Sequence, residues 1–160
     1  MNKITAGFSL IELVIAMAVV AIGLAITIPA MQGFTDSNRR TTYINSLAGD
    51  LGLAKSEAIK RGTTVTITQL TGTAGDWQNG WSISDGSTTF KTTPAFDVTT
   101  ITLIENSGAS SISFRPNGRI TGSALSFNLC DSANTDPENK RLAINATGRI
   151  SVNQVTITCP

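Results

Sequence analysis

Between Phe8 and Met31 lie twenty-four residues, FSLIELVIAMAVVAIGLAITIPAM, of which Glu12 alone is charged. As a helix they would rise about 36 Å, more than the roughly 30 Å hydrocarbon core of a bilayer. The stretch is therefore predicted to be a helix long enough to span a membrane. A carboxylate at the centre of such a span costs about 2.5–3.5 kcal/mol, less near the interface, so Glu12 calls for a compensating partner.

The seven residues before it, MNKITAG, carry Lys3 and no acid and end in a glycine. A secretory signal has its small-residue cleavage site after the apolar run, and residues 32–40 offer none. The small residue stands in front instead. Gly7-Phe8-Ser9-Leu10-Ile11-Glu12-Leu13 resembles the class III leader junction of type IV pilins and pseudopilins. The resemblance implies cleavage between Gly7 and Phe8 by a prepilin peptidase and methylation of Phe8. It also implies that Glu12 neutralises the N-terminal amine of a neighbouring subunit when the helices pack into a filament. Pairing a buried carboxylate with an ammonium recovers much of its desolvation cost and fixes axial register. A plain membrane anchor with Glu12 near the interface is the competing reading, and it leaves the Gly7 junction without a role.

At 160 residues, with 41% hydrophobic and 14% charged residues, the chain suits one folded head plus the helix. Formal charge is +1, and loss of Lys3 with the leader leaves basic and acidic side chains balanced, so no global field draws in nucleic acid. Cys130 and Cys159 form no CxxC pair. In an exported head they are expected to make one disulfide, closing a loop that contributes about 3.6 kcal/mol by chain entropy.

Pro29 and Gly33 predict a kink or local melt around residues 26–34, with Asp36 or Ser37 capping a second helix. Arg40, Ile44, Leu47, Leu51, Ala54 and Ala58 recur at spacings of three and four, one mostly apolar stripe on an amphipathic helix over residues 32–62. Lys55, Glu57, Lys60 and Arg61 read as its solvated face. From Thr63 the period becomes alternating. Strands are predicted at 64–68, 81–84, 98–104, 111–115, 124–129, 141–146 and 154–158, divided by turn signals such as Asn79-Gly80, Asn117-Gly118 and Thr147-Gly148. The expected fold is α+β: a leader at 1–7, a long N-terminal helix with a membrane-spanning first half (8–31) and an amphipathic second half, and an antiparallel β-sheet or sandwich head at 63–160.

Residues 51–62 (LGLAKSEAIKRG), 76–81 (DWQNGW), 127–131 (FNLCD) and Gly148-Arg149-Ile150 resemble the GspH/FimT group of minor pilins and pseudopilins. That resemblance implies a low-abundance subunit in the priming or tip complex of a type IV pilus or a type II secretion pseudopilus. It implies as partners a prepilin peptidase, other major and minor pilins or pseudopilins, and the bacterial inner membrane, with the head in the periplasm. One branch of the group binds DNA through a C-terminal G-R-x-R motif. Here Arg149 matches its first arginine and Ser151 replaces the second. Arg119, in a similar Gly-Arg-Ile element, and Arg115, Lys140 and Arg141 are the other candidate DNA contacts. The alternative is that both elements are hairpin turns whose arginines are only solvated.

Trp77 and Trp81 flank an expected turn and are expected to pack in the core or at a sheet edge. With no histidine, histidine-based triads and zinc sites are excluded, and the acids lack metal-ligand spacing. Ser56 and Lys60 are one helical turn apart on an exposed face, and no phosphate-cradling glycine loop occurs. No enzyme, cofactor or metal is expected.

Overall fold

A computed structural model describes residues 8–97, 99–132 and 139–155, with side chains described except those of 26–36. Its first element is a single helix, α1 (Leu10–Arg61). The backbone stays helical through Pro29 and Gly33, so the melt expected at 26–34 and the second N-cap at Asp36 or Ser37 are not found. Proline removes one backbone donor, which a helix of 52 residues outlasts because its other bonds remain. Two compact units divide at Arg39/Arg40.

In the first unit every large apolar side chain from Phe8 to Leu24 is more than half exposed. Among the described residues no helix is long and apolar enough to cross a membrane. The backbone is helical from Leu10 through the end of the expected 8–31 span, and the side chains of 26–31 lie outside the described residues.

The second unit holds the other end of α1 and eight strands. The stripe expected from the helical period is buried as read: Ile44, Leu47, Leu51, Ala54 and Ala58 are fully enclosed and Arg40 nearly so. Gly62, with φ of 66°, follows the last helical residue and ends the helix. The strands are β1 (Val65–Gln69), β2 (Trp81–Ser84), β3 (Thr89–Thr93), β4 (Ile101–Glu105), β5 (Ser111–Phe114), β6 (Leu125–Asp131), β7 (Asn139–Ile144) and β8 (Ile150–Val155). They form two antiparallel sheets, β3-β2-β1-β5 and β4-β6-β7-β8. Alternation decides the inward set: Val65 and Ile67, Trp81 and Ile83, Ile101 and Leu103, Phe127 and Leu129, Leu142 and Ile144 join the helical stripe in one core. Burying each large side chain contributes about 1.5–3 kcal/mol.

Both tryptophans belong to this core. A 3-10 turn at Trp77–Asn79 seats Trp77, whose ring stands edge-on to Phe127 at 5.3 Å and whose Nε1 donates to the Ala109 carbonyl at 2.9 Å. Trp81 Nε1 donates to Asp50 at 2.9 Å. The loop after β3 is pinned to α1 by Phe96, stacked on Tyr43 at 3.9 Å, while the Tyr43 hydroxyl donates to Asp97.

Most strands fall within a few residues of their sequence-based positions, with the greatest shift in β8, which starts at Ile150 rather than Gln154. Residues 156–158 of that expectation, and Val98 of the expected 98–104 strand, lie outside the described residues. β3 was not expected: of its five residues, Phe90 and Thr93 are half-buried and the rest exposed, so no apolar alternation marks it. Lys55, expected on a solvated face, is half-buried and donates to the Gly148 carbonyl at 2.9 Å. Glu57, also expected on that face, is half-buried with its side chain 16% exposed; Arg61 donates to it at 2.6 Å and holds its carboxyl below the usual value of 4.5. A depressed value means that its small contribution is present above pH 4.5 and lost as pH falls through the folded value. Arg61→Ala is expected to return the Glu57 titration toward the ordinary range by carboxyl-carbon NMR, with little change in melting temperature because the Arg61 side chain is 44% exposed.

Candidate functional site

The processing and assembly residues sit at the start of α1. Gly7 lies outside the described residues, Phe8 stands one residue ahead of Ser9 and the helix start at Leu10 and is 84% exposed, and Glu12 occupies the first turn. There the carboxylate meets the positive end of the helix dipole, which favours it by several tenths of a kcal/mol. The side chains that follow are apolar all round the helix, with Leu10, Ile11, Leu13, Val14 and Ile15 exposed on successive faces. A rod of this kind has no polar face to turn to water, so it needs lipid or other apolar helices.

The second candidate region is built by two turns. Arg115 to Arg119 closes through Gly118 N–H donating to Arg115 O at 2.8 Å, and Asn145 to Arg149 closes the same way through Gly148 N–H to Asn145 O at 2.8 Å. Asn145 Oδ1 accepts from the Thr147 N–H, the Thr147 hydroxyl and the Arg149 N–H, and Asn117 Oδ1 accepts from the Arg119 N–H. Both glycines have positive φ, 74° at Gly118 and 72° at Gly148, as the hairpin-turn reading required. The turns abut. A Cβ on Gly148 would lie 2.2 Å from the Gly118 carbonyl oxygen, and one on Gly118 would meet Lys55 and Ile59 of α1 at 3.0 Å.

Arg115, Arg119 and Arg149 are exposed at these turns. Lys140 and Arg141 are not with them. As successive residues of β7 they point to opposite faces: Lys140 Nζ donates to the Thr41 hydroxyl on α1, and Arg141 Nε donates to Asn128 at 3.0 Å. The five cations proposed for DNA are thus split, and Ser151 stands where the motif needs its second arginine. Three phosphate contacts would give only weak, strongly salt-dependent binding. The DNA reading is not supported.

Cys130 is buried on β6, and among the described residues no thiol is free. Cys159 lies outside them. No group of acids or cysteines among the described residues could hold a metal.

Three charged groupings were not foreseen. Asp50, 3% exposed, accepts from Trp81 Nε1 at 2.9 Å and Thr93 Oγ1 at 2.7 Å through Oδ2, and from Lys91 Nζ at 2.6 Å through Oδ1. Glu105, 2% exposed, accepts through Oε2 from the Ser107 N–H and hydroxyl and from the Ala109 N–H, shaping the β4–β5 loop. Arg40, read as part of the apolar stripe, faces Asp131 with Nε 4.0 Å from a carboxylate oxygen. These networks are architectural, tying α1 to both sheets and bracing a loop.

Among curated proteins no sequence match is found. The profile for a prokaryotic N-terminal methylation motif matches residues 2–28, and the profile described as type II transport protein GspH matches residues 43–148. Among solved structures, the type IV minor pilin FimU of Pseudomonas aeruginosa is similar in two crystal forms. In space group P21 the TM-score is 0.65 with 27% identity over 75% of this chain and 92% of FimU; in P65 it is 0.61 with 26% identity over 71% and 91%. The minor pseudopilin EpsH from the type 2 secretion system of Vibrio cholerae shares the fold at TM-score 0.53 and 12% identity, over 72% of this chain and 97% of EpsH. A helix followed by a two-sheet head, matched by the family profile over most of its length, shows that the chain belongs to the GspH family of type IV pilin-like proteins.

Proposed function

We propose that this chain is a minor pilin or pseudopilin that joins the priming or tip complex of a type IV pilus or a secretion pseudopilus, assembling through its N-terminal helix. The observation that carries this reading is the N-terminal stretch itself: apolar on every face from Phe8 to Leu24, with one acid in the first turn of its helix, Gly7-Phe8 just ahead of that helix in the sequence and a GspH head after it. Residues 1–7 are then a leader removed by a prepilin peptidase. Residues 8–31 hold the subunit in the bacterial inner membrane with the head in the periplasm, until neighbouring pilin or pseudopilin helices replace lipid. Exchanging one apolar surrounding for another keeps the rod satisfied, and a partner's amine answers the charge of Glu12. In the oxidising periplasm Cys130 pairs with Cys159 and ties the chain's end to β6.

Mass spectrometry of the protein from cells with an active prepilin peptidase is expected to show cleavage between Gly7 and Phe8 and one added methyl on the Phe8 amine. Glu12→Ala is expected to be cleaved normally yet lost from sheared filaments. An intact leader, or wild-type incorporation of Glu12→Ala, would contradict the proposal.

A further inference from the structure

The two sheets have four edges, and among the described residues three are guarded. β3 carries Lys91 and runs into Pro94, β4 is bridged on its outer side by Asp76 at Ile104, and β5 by Ile120 at Phe114. β8, with the sequence ISVNQV, has no charge and no proline, and among the described residues no bridge beyond β7. An edge of six residues, about 20 Å long, that no described residue covers is a template for another strand.

Beside that edge the outer face of the sheet holds a groove of about 580 Å³, lined by Ser126, Ala143, Asn145, Arg149, Ser151 and Asn153. Ala143 pairs in register with Ser126 on one side and Ser151 on the other, so no bulky side chain fills its middle. Nothing acidic lines it. The turn consumes Asn145 Oδ1, leaving the amide donor, and the exposed Arg149 guanidinium has no partner among the described residues. The groove is therefore rich in donors for a carboxylate. A nucleic acid would need a row of cations, and Arg149 is the only one here.

We propose that β8 and this groove receive an extended, acid-bearing segment of a neighbouring filament subunit, which adds to the sheet as a fifth strand and sets a carboxylate against Arg149. Main-chain pairing with β8 supplies affinity, and the groove selects the side chains, the usual division in strand addition. The inference rests on the reading of the chain as a filament subunit.

The test uses the full chain in detergent micelles. Its probes are a peptide Thr-Val-Thr-Val-Thr-Glu, the same peptide ending in Gln, and a single-stranded DNA oligonucleotide. The acidic peptide is expected to bind about three- to fivefold tighter than its neutral counterpart, the scale of one exposed ion pair, and to slow amide exchange at 150–155. Arg149→Gln, on an exposed turn, is expected to erase that preference, and Val152→Lys to weaken both peptides by placing a charge on the edge. A preference that survives Arg149→Gln, unchanged exchange at 150–155, or displacement of the peptide by the oligonucleotide would overturn the proposal. Retention of residues 1–7 in cells would refute the filament reading without altering these binding results.

Discussion

Asp50→Ala is expected to destabilise the protein by about 3 kcal/mol, lowering its melting temperature by about 10 °C. The carboxylate is the shared acceptor of three donors from two strands, and it sits on the buried side of α1. Its removal leaves the Trp81 indole N–H enclosed with nothing to bond, at about 1–3 kcal/mol, and opens a gap beside β2. Lys91→Met should cost about 1 kcal/mol or less, because the lysine side chain is 44% exposed and the Trp81 and Thr93 bonds to Asp50 survive. Thermal unfolding of the full chain, followed by circular dichroism, checks the order. Equal losses for the two variants would show that the ion pair, rather than the buried hydrogen bonds, holds this corner together.

Gly148→Ala is the second large effect. Its φ of 72° costs a side chain about 1–2 kcal/mol, and the added methyl would stand 2.2 Å from the backbone oxygen of Gly118. Backbone cannot rotate aside as a side chain can, so the two turns must part and the Lys55 bond to Gly148 must lengthen or break. The expected loss is about 2–4 kcal/mol. Gly62→Ala separates the two contributions: its φ is 66° but a Cβ there meets nothing, so only the conformational part, about 1–2 kcal/mol, should appear. Similar losses at both positions would mean that the turns do not depend on their close approach.

The helical stripe was legible because Ile44, Leu47, Leu51, Ala54 and Ala58 repeat a period that only a helix satisfies, and the glycine turns because Gly118 and Gly148 follow Asn117 and Thr147. Asp50 was not. Its neighbours in sequence are ordinary helix residues, and the three groups that need it come from strands 31 to 43 residues away. Arg40 was placed on the right face, but its partner Asp131 could not be named, since nothing local encodes a contact across the fold. β3 escaped notice because an edge strand with water on most of its residues carries no period of two. The meeting of the two Gly-Arg turns depends on how two separate sheets align, and spacing in the chain does not carry that information.

Lys55 and Gly148 lie 93 residues apart, and Thr41 and Lys140 lie 99 apart. Such distant pairings form late, after the entropy of closing long loops has been overcome. A chain made from its N-terminus offers its apolar rod early, while the bonds that α1 makes to Lys140 and Gly148 must wait until those residues have been synthesised. A chain interrupted before residue 140 would carry the rod without either of these two clasps on its head.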